Sequence, residues 1–320
     1  MELFSKNIIC SGDSYTDNLR TGNEGKEVWP DFLAQKLKTK NVINLGSSGA
    51  GNYEIYSRTV DSICNIKNIS LVVVMWSEFP RIDLEIDMRK FKANKKNPDG
   101  HLSYQRLHRG KSQYPVWFEN FNPPKLLQWE RKGLIEKDGN GKKIEREKWK
   151  YQISRFFDVH KTQNDYSGIN AFMRYAYSIQ SICEIENIPL IQIMGTEPVI
   201  NEGIYNPTRT KSGLIRSPEN LPGERRFHNS WQDACSMVLR HPTLEKIKNN
   251  FIGWPMFKEI GGYCVDDLIS ENDPKWNGMR GNHWPSDFRI SEKDSHPSTK
   301  GHKFIGEYLY EQSKHLYFDS

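Results

Sequence analysis

The chain has 320 residues and a net charge of +5, and 36% of its residues are hydrophobic. This length accommodates one large α/β domain with insertions or two small domains. The apolar fraction excludes a globally disordered chain, while the mean hydropathy of −0.74 indicates long polar insertions. So mild a positive charge does not by itself indicate a nucleic-acid partner.

The first 80 residues predict alternating strands and helices. Short apolar runs at 7–10, 42–45 and 71–76 are typical of buried parallel strands. Between them, apolar residues recur at helical spacing over 29–37 and 55–66. This alternation predicts a mostly parallel, doubly wound α/β sheet, in which ligands bind at the carboxyl ends of the strands.

The pattern breaks at about 81–167, a stretch rich in Pro, Lys and Arg, which we interpret as an insertion that is partly helical near 145–157. Either a solvated excursion, or a lid or substrate platform over the active site, would fit this composition. Helical spacing resumes over 169–183 and is followed by an apolar run at 190–194. A variable loop rich in Gly and Pro comes next, at about 197–230.

The C-terminal part completes the predicted α/β pattern. We expect a helix over 230–249, a fifth strand over 250–254, and a last helix over 299–316 that Ser298 caps. One catalytic domain over 1–320, carrying the two insertions, explains the whole pattern better than two domains.

Cysteine usage and the N-terminus lead to expectations about compartment and metals. The five cysteines are scattered and form no CxxC pair, which argues against a disulfide framework or a zinc site and favours a reducing compartment. We predict no metal. Residues 1–9 are too short and too polar for a signal peptide, and no apolar run reaches the length of a membrane span. We therefore expect a cytoplasmic protein without membrane contact, although a phage-encoded or virion-associated protein would fit the same features.

A basic stretch lies inside the first insertion. Residues 89–111 contain eight Lys or Arg and one Asp. Such a run is usually a solvated face, and the alternative is binding to a polyanion. No recognised nucleic-acid module accompanies it, so we do not expect a nucleic-acid partner.

Three short segments carry residues suited to nucleophilic catalysis. The first, 11–17, follows the first strand and contains Ser14, whose hydroxyl is a weak nucleophile that needs an adjacent base. The second, 44–52, has three glycines within six residues, and its N–H groups could point at a developing oxyanion. The third is the Asp-Ser-His-Pro segment before the last helix. There His296 can accept the serine proton while Asp294 bonds the other imidazole nitrogen.

These segments resemble blocks I, II and V of the SGNH (GDSL-like) serine hydrolases, in the order that the family has. The matching motifs are Gly12-Asp13-Ser14, Ser48-Gly49 and Asp294-x-His296-Pro297. The resemblance implies a flavodoxin-like three-layer α/β/α fold with a mostly parallel five-stranded sheet. It also implies a triad of Ser14, Asp294 and His296, with the N–H groups of Ser14 and Gly49 in the oxyanion hole. The family hydrolyses esters, thioesters and acetylated sugars, usually without a cofactor, so we expect none.

The segment after the third strand departs from the family. Block III usually reads Gly-x-Asn-Asp and its asparagine is the third oxyanion donor, whereas residues 75–81 here read Met-Trp-Ser-Glu-Phe-Pro-Arg. The hydroxyl of Ser77 or the side chain of Asn52 are the candidate replacements. Losing one such donor typically costs about 10²–10³ in turnover.

Three further side chains near these motifs are candidate substrate contacts. Tyr15 follows the serine directly, and Arg81 would suit an anionic substrate. Trp76 is expected more to fill the rim of the sheet than to touch a substrate.

The sequence therefore predicts a serine esterase, with a small ester or an acylated carbohydrate as substrate. Two alternatives stay open: an acyltransferase that uses the same triad, and a non-catalytic glycan-binding or structural protein that retains the fold. The missing block III asparagine favours the non-catalytic protein. Ser14 or His296 alone would read as a turn or loop residue, but their joint occurrence with Asp294 favours the enzyme. The oligomeric state is not indicated.

Overall fold

The computed structural model describes residues 6–18, 26–79, 81–87, 102–109, 116–119, 165–198, 234–276, 284–292 and 294–318. In chain order the elements are β1 (Asn7–Ser11), α1 (Trp29–Leu37), β2 (Val42–Asn44), α2 (Asn52–Asn65), β3 (Ile69–Trp76), β4 (Ile82–Asp87), β5 (Leu102–Arg109), β6 (Val116–Glu119), α3 (Asp165–Ile185), β7 (Leu190–Met194), α4 (234–240), α5 (Leu244–Ile247), β8 (Phe251–Ile252), α6 (Val265–Asn272), β9 (Arg289–Ser291), β10 (Asp294–Pro297) and α7 (Thr299–Phe318).

Five of these strands form one sheet in the order β2-β1-β3-β7-β8. Every neighbouring pair runs parallel. Counted along the chain within this sheet, the order is 2-1-3-4-5, which is the order of flavodoxin-like folds. The predicted parallel α/β sheet is therefore confirmed. β3 is its middle strand, and residues 71–76 of that strand are completely buried, as expected where helices cover both faces.

Helices lie on both faces of the sheet and enclose two apolar cores. The side chains of β3 alternate between these cores, because successive residues of a strand point to opposite faces. Residues 72, 74 and 76 pack with apolar side chains of α2 and α3. Residues 71, 73 and 75 pack with those of α1, α6 and α7. The fold is a three-layer α/β/α sandwich.

The C-terminal elements follow the prediction with one interruption. The helix expected over 230–249 is broken between α4 and α5. Pro242 disfavours helical backbone at His241, and there the imidazole Nδ1 accepts the N–H of Thr243 at 3.3 Å. The fifth strand expected over 250–254 is present as β8. Ser298 caps α7 as predicted, since its hydroxyl accepts the N–H of Gly301 at 3.3 Å.

The first insertion opens with a small antiparallel sheet that the sequence analysis missed. It has the order β4-β5-β6. The helix predicted near 145–157 and residues 199–230 of the variable loop lie outside the described residues, and the single-domain organisation stays a prediction. No helix in the described part of the chain is long and apolar enough to cross a membrane.

Candidate active site

Ser14 lies in a tight turn immediately after β1, at the carboxyl edge of the sheet. The backbone N–H groups of Thr16 and Asp17 both donate to the carbonyl of Asp13, at 3.0 and 3.1 Å. A Cβ at Gly12 would lie 2.2 Å from the Thr16 hydroxyl oxygen, so this turn requires glycine at that position. The turn presents Ser14 with 7% of its surface exposed.

The other two predicted triad residues come from β10 and meet Ser14. Nε2 of His296 lies 2.8 Å from Oγ of Ser14, and its Nδ1 lies 2.7 Å from Oδ1 of Asp294. An ionised carboxylate can only accept a hydrogen bond. Nδ1 therefore carries the imidazole proton, and Nε2 is left to accept the proton of the Ser14 hydroxyl. This is the arrangement that an activated serine needs.

The glycine-rich loop after β2 is tied to the Ser14 turn. The N–H of Ser47 donates to the carbonyl of Gly12 at 3.1 Å. Ser48 donates both its N–H and its hydroxyl to one oxygen of Asp17, at 2.9 and 2.7 Å. Gly49 then adopts a φ of 79°, in the left-handed region that favours glycine. These bonds hold the two loops together at the edge of the sheet.

The two predicted backbone donors of the oxyanion hole have no competing acceptor among the described residues. Neither the N–H of Ser14 nor that of Gly49 donates to a protein group within the described ranges. Backbone donors in this condition can bind an oxygen that becomes negatively charged during a reaction.

The two candidate replacements for the third donor bond to each other. The side chain of Asn52 donates to the carbonyl of Ser77 and accepts its N–H, both at 2.9 Å. The Ser77 hydroxyl donates to Oδ2 of Asp13 at 2.8 Å. The Ser77 hydroxyl is thus committed to a buried carboxylate. Asn52 keeps the second hydrogen of its amide group.

Arg81 belongs to the same buried cluster. Its Nη1 donates to Oδ2 of Asp13 at 3.0 Å and to the carbonyl of Ala50 at 3.2 Å. Its Nε and Nη2 donate to Oε1 of Glu78, at 3.1 and 2.8 Å. The side chain is only 10% exposed. Two carboxylates neutralise this guanidinium, so the geometry favours a structural role over the predicted contact with an anionic substrate.

The aromatic candidates Tyr15 and Trp76 are both placed in the core rather than at a substrate surface. Trp76 is completely buried, and its indole N–H donates to Gln192 at 2.9 Å. It fills the sheet, as the sequence analysis preferred. Tyr15 is 4% exposed, and its ring lies edge-on to the His296 ring with the centroids 5.4 Å apart.

Sequence reasoning missed a second buried cluster, which surrounds the Tyr15 hydroxyl. That hydroxyl donates to Oδ1 of Asp266 at 2.6 Å and accepts from Nη1 of Arg289 at 3.0 Å. Burial, and then the charge of Asp266, raise the pKa of Tyr15 well above its ordinary value, so the phenol stays protonated. Burial opposes the charge on Arg289, but the interactions with Asp266 and Tyr15 together outweigh burial and raise the Arg289 pKa. The contacts join residues more than 200 positions apart in the chain, so no local sequence pattern predicts them.

An open cleft of about 230 Å³ adjoins the Arg81 cluster. Asn52 and Arg81 border it, together with the aromatic side chains of Tyr53, Phe79 and Tyr175. The cleft therefore shares two residues with the cluster that contacts Asp13, next to Ser14 in the chain.

The first strand of the insertion contributes a carboxylate to the rim of this cleft. Asp83 lines the cleft and accepts the N–H groups of Gly51 and Glu54, each at 2.8 Å. It thereby caps α2, whose N-cap residue, Gly51, has no side chain to do so. A Cβ at Gly51 would lie 2.7 Å from this carboxylate.

Comparison of the chain with models of known families found no match, and comparison with curated proteins found none either. Within the part of the chain that the structure describes, no group of three or more His, Cys, Asp or Glu side chains could hold a metal ion. The function is therefore inferred from the motifs and from the geometry of the site.

Proposed function

We propose that the protein is a serine esterase of the SGNH (GDSL-like) type. One observation carries this proposal: the continuous hydrogen-bonded chain from Ser14 through His296 to Asp294, with distances of 2.8 and 2.7 Å. A serine hydroxyl becomes an effective nucleophile when a base of this kind lies within hydrogen-bond reach and a third group orients the base.

Acylation follows directly from these contacts. Nε2 of His296 takes the proton of the Ser14 hydroxyl while Oγ attacks the ester carbonyl carbon. Asp294 stabilises the imidazolium that forms. The N–H groups of Ser14 and Gly49 bind the oxyanion of the tetrahedral intermediate. Nε2 then gives the proton to the departing alcohol oxygen, which leaves an ester between the acyl group and Ser14.

Deacylation repeats the same steps with water. His296 removes a proton from a water molecule as its oxygen attacks the acyl carbon. The second tetrahedral intermediate collapses, the acid leaves, and the proton returns to Oγ of Ser14. Because the imidazole must be neutral in both half-reactions, we expect activity to be lost in acid.

The oxyanion hole offers two backbone donors, with the remaining amide hydrogen of Asn52 as the available third. If Asn52 does not supply the third donor, turnover is expected to be about 10²–10³-fold lower than with a three-donor oxyanion hole. The Ser77 hydroxyl is bonded to Asp13. A missing third donor would favour a second candidate function, a non-catalytic binding protein that retains the fold.

A small O-acetyl group on a carbohydrate is our preferred substrate. The cleft beside the Arg81 cluster is lined by the half-buried Tyr53 and Tyr175 and by several polar groups, and Ser14 and His296 are not among its described lining residues. Aromatic faces combined with hydrogen-bonding groups suit a sugar ring, which has both apolar and hydroxyl surfaces.

The test compares wild type with Ser14→Ala and His296→Ala in p-nitrophenyl acetate hydrolysis and in labelling by a fluorophosphonate. Ser62→Ala, in α2, and His241→Ala, beside α5, are the matched controls. We expect wild type and both controls to hydrolyse and to label, and both site variants to lose the two properties. If the folded wild-type protein neither hydrolyses the ester nor reacts with the label, the esterase proposal is overturned in favour of the non-catalytic protein. Acyl transfer to a hydroxyl group of an added sugar, instead of to water, would support the acyltransferase alternative.

A further inference from the structure

The cluster around Tyr15 has no part in the mechanism described above, yet it is charged and deeply buried. The side chain of Arg289 is 1% exposed and that of Asp266 is 11% exposed. Nη1 of Arg289 lies 2.6 Å from Oδ1 of Asp266. Burying an ion pair carries a large desolvation penalty, and apolar side chains of similar volume often give equal or greater stability. Stability alone therefore does not explain these groups.

The cluster contacts both segments of the chain that carry the candidate catalytic residues. On one side it holds Tyr15, which follows Ser14 directly. On the other side Nη1 of Arg289 donates to the carbonyl of Ser295 at 2.8 Å. Ser295 lies between the aspartate and the histidine of the triad. Nη1 has two hydrogens and shares them among three acceptors, Asp266, Tyr15 and Ser295, so one nitrogen reaches the residues on either side of the Ser14–His296 hydrogen bond.

The contacts of Tyr15 extend this arrangement to the imidazole itself. The phenol ring packs edge-on against the His296 ring, with an angle of 62° between the two planes. Its hydroxyl is held by Asp266 and Arg289, so the ring cannot turn away without breaking both bonds. The His296 ring is therefore in contact with a residue that the ion pair holds in place.

Two further bonds anchor the guanidinium to one helix. Nη2 of Arg289 donates to the backbone carbonyl of Asp266 and to the Ser270 hydroxyl, at 3.2 and 3.3 Å. Both acceptors belong to α6. β9, which begins at Arg289, pairs with β10, which carries the triad aspartate and histidine. The planar fork of an arginine fixes several bond directions at once, so it can set the position of β10 relative to the sheet.

We propose that Arg289, together with Asp266 and Tyr15, is the positioning unit that holds the His296 imidazole in line with the Ser14 hydroxyl. The kinetic consequence of this proposal rests on the proposed esterase function, whereas its geometric consequence does not. A displacement of about 1 Å in such a site can lower the rate about 10²-fold.

The test uses Arg289→Met, Arg289→Lys and Tyr15→Phe, with Arg240→Met, at an exposed position, as the matched control. Two quantities are measured well below the unfolding temperature of each variant. One is kcat and KM for p-nitrophenyl acetate per folded molecule. The other is the downfield proton NMR resonance of the hydrogen bond between His296 and Asp294, which reports the geometry of that bond.

We expect Arg289→Met to lower kcat about 10²-fold with little change in KM, and to shift or broaden the resonance. Arg289→Lys should recover part of the loss, because an ammonium can bond only some of the same acceptors. Tyr15→Phe keeps the ring and loses both hydroxyl bonds, and we expect a smaller fall of about tenfold. If Arg289→Met does not fold, Tyr15→Phe decides the matter by the same two measurements.

The proposal is overturned if both kcat per folded molecule and the resonance are unchanged in Arg289→Met, or in Tyr15→Phe where Arg289→Met does not fold. The cluster would then have a structural role only. If wild type has no esterase activity, the proposed function fails, but the resonance still tests the positioning. A resonance that changes in the Arg289 and Tyr15 variants and not in Arg240→Met then supports the positioning unit, and a resonance that stays the same in all of them overturns it.

Discussion

Two mostly buried arginines reach the candidate site, and they are paired differently. Arg81 contacts two carboxylates, Asp13 and Glu78. Arg289 contacts only Asp266 among the carboxylates of the described residues. Each also donates to a backbone carbonyl one residue away from a predicted catalytic group. For Arg81 this is Ala50, next to Gly49, the proposed oxyanion donor, and for Arg289 it is Ser295, next to His296, the proposed base.

This difference indicates that loss of a carboxylate is tolerated better beside Arg81, on the oxyanion side of the site, than beside Arg289, on the side of the histidine. An arginine with two carboxylates keeps a partner when one is removed. A buried arginine with one carboxylate is left as an uncompensated charge, which costs several kcal/mol. We therefore expect the base side of the site to be the more sensitive, and the oxyanion side to be the more tolerant.

The largest expected effect follows from removing each carboxylate. Asp266→Ala should lower the free energy of unfolding by about 3–5 kcal/mol, because it leaves Arg289 buried and unpaired. Glu78→Ala should lower it by about 1 kcal/mol or less, because Arg81 keeps Asp13. Denaturant unfolding monitored by circular dichroism measures both. Equal losses in the two variants would contradict the comparison.

The oxyanion side can be tested at Gly49 with Gly261 as its control. Both glycines have a left-handed φ, 79° and 87°, so alanine at either position should cost about 1–2 kcal/mol of stability. Only Gly49→Ala should also reduce turnover, by about 10²-fold, since it displaces a donor of the oxyanion hole. Turnover numbers and melting curves on the same preparations separate the two effects. A similar loss of turnover in Gly261→Ala would point to a general effect of stability.

A smaller effect is expected at Arg81. Arg81→Met removes the bond to the Ala50 carbonyl, but the Ser77 hydroxyl and the N–H of Tyr15 still donate to Asp13. We expect kcat to fall about tenfold, less than in Arg289→Met. KM for neutral and for anionic esters should change alike, as steady-state kinetics can show. A rise in KM confined to anionic esters would revive the prediction that Arg81 contacts the substrate.

The last expected effect depends on pH and concerns Asp273, which anchors the segment before Arg289. Burial works against its ionisation, but hydrogen bonds from the Ser286 hydroxyl and from the N–H groups of Lys275, Phe288 and Asp287 outweigh burial and lower its pKa. The carboxylate therefore stabilises the fold above the pKa of an unfolded aspartate, near 3.9, and this contribution disappears as pH falls through the lower folded-state value.

Asp273→Ala should accordingly lose roughly 2 kcal/mol at pH 7, and the stability gap to wild type should be smaller at a pH well below the unfolded aspartate pKa of about 3.9. Urea unfolding at the two pH values measures this gap. A gap that stays constant with pH would show that the carboxylate charge is not what stabilises this segment.

The central sheet was predictable because its strands are continuous apolar runs. Residues 71–76 and 190–194 read as buried strands, and they are the neighbouring strands β3 and β7. The insertion was harder to interpret, although a signal is present in β4. There Ile82, Leu84 and Ile86 alternate with acidic residues, which is the two-residue period of a strand with one covered face.

By itself the sequence determined the α/β class, the strands of the parallel sheet with most of the helices around them, and the candidate serine, histidine and aspartate, because periodicity and short motifs are local properties of the chain. The tertiary structure alone decided how the polar groups are shared. It assigned the Ser77 hydroxyl to Asp13, paired Arg81 with Asp13, and buried Arg289 between the two segments that carry the candidate triad. Each of these outcomes depends on partners from distant segments that meet only when the sheet and its helices pack, since a buried polar group takes whatever partner the fold brings within reach.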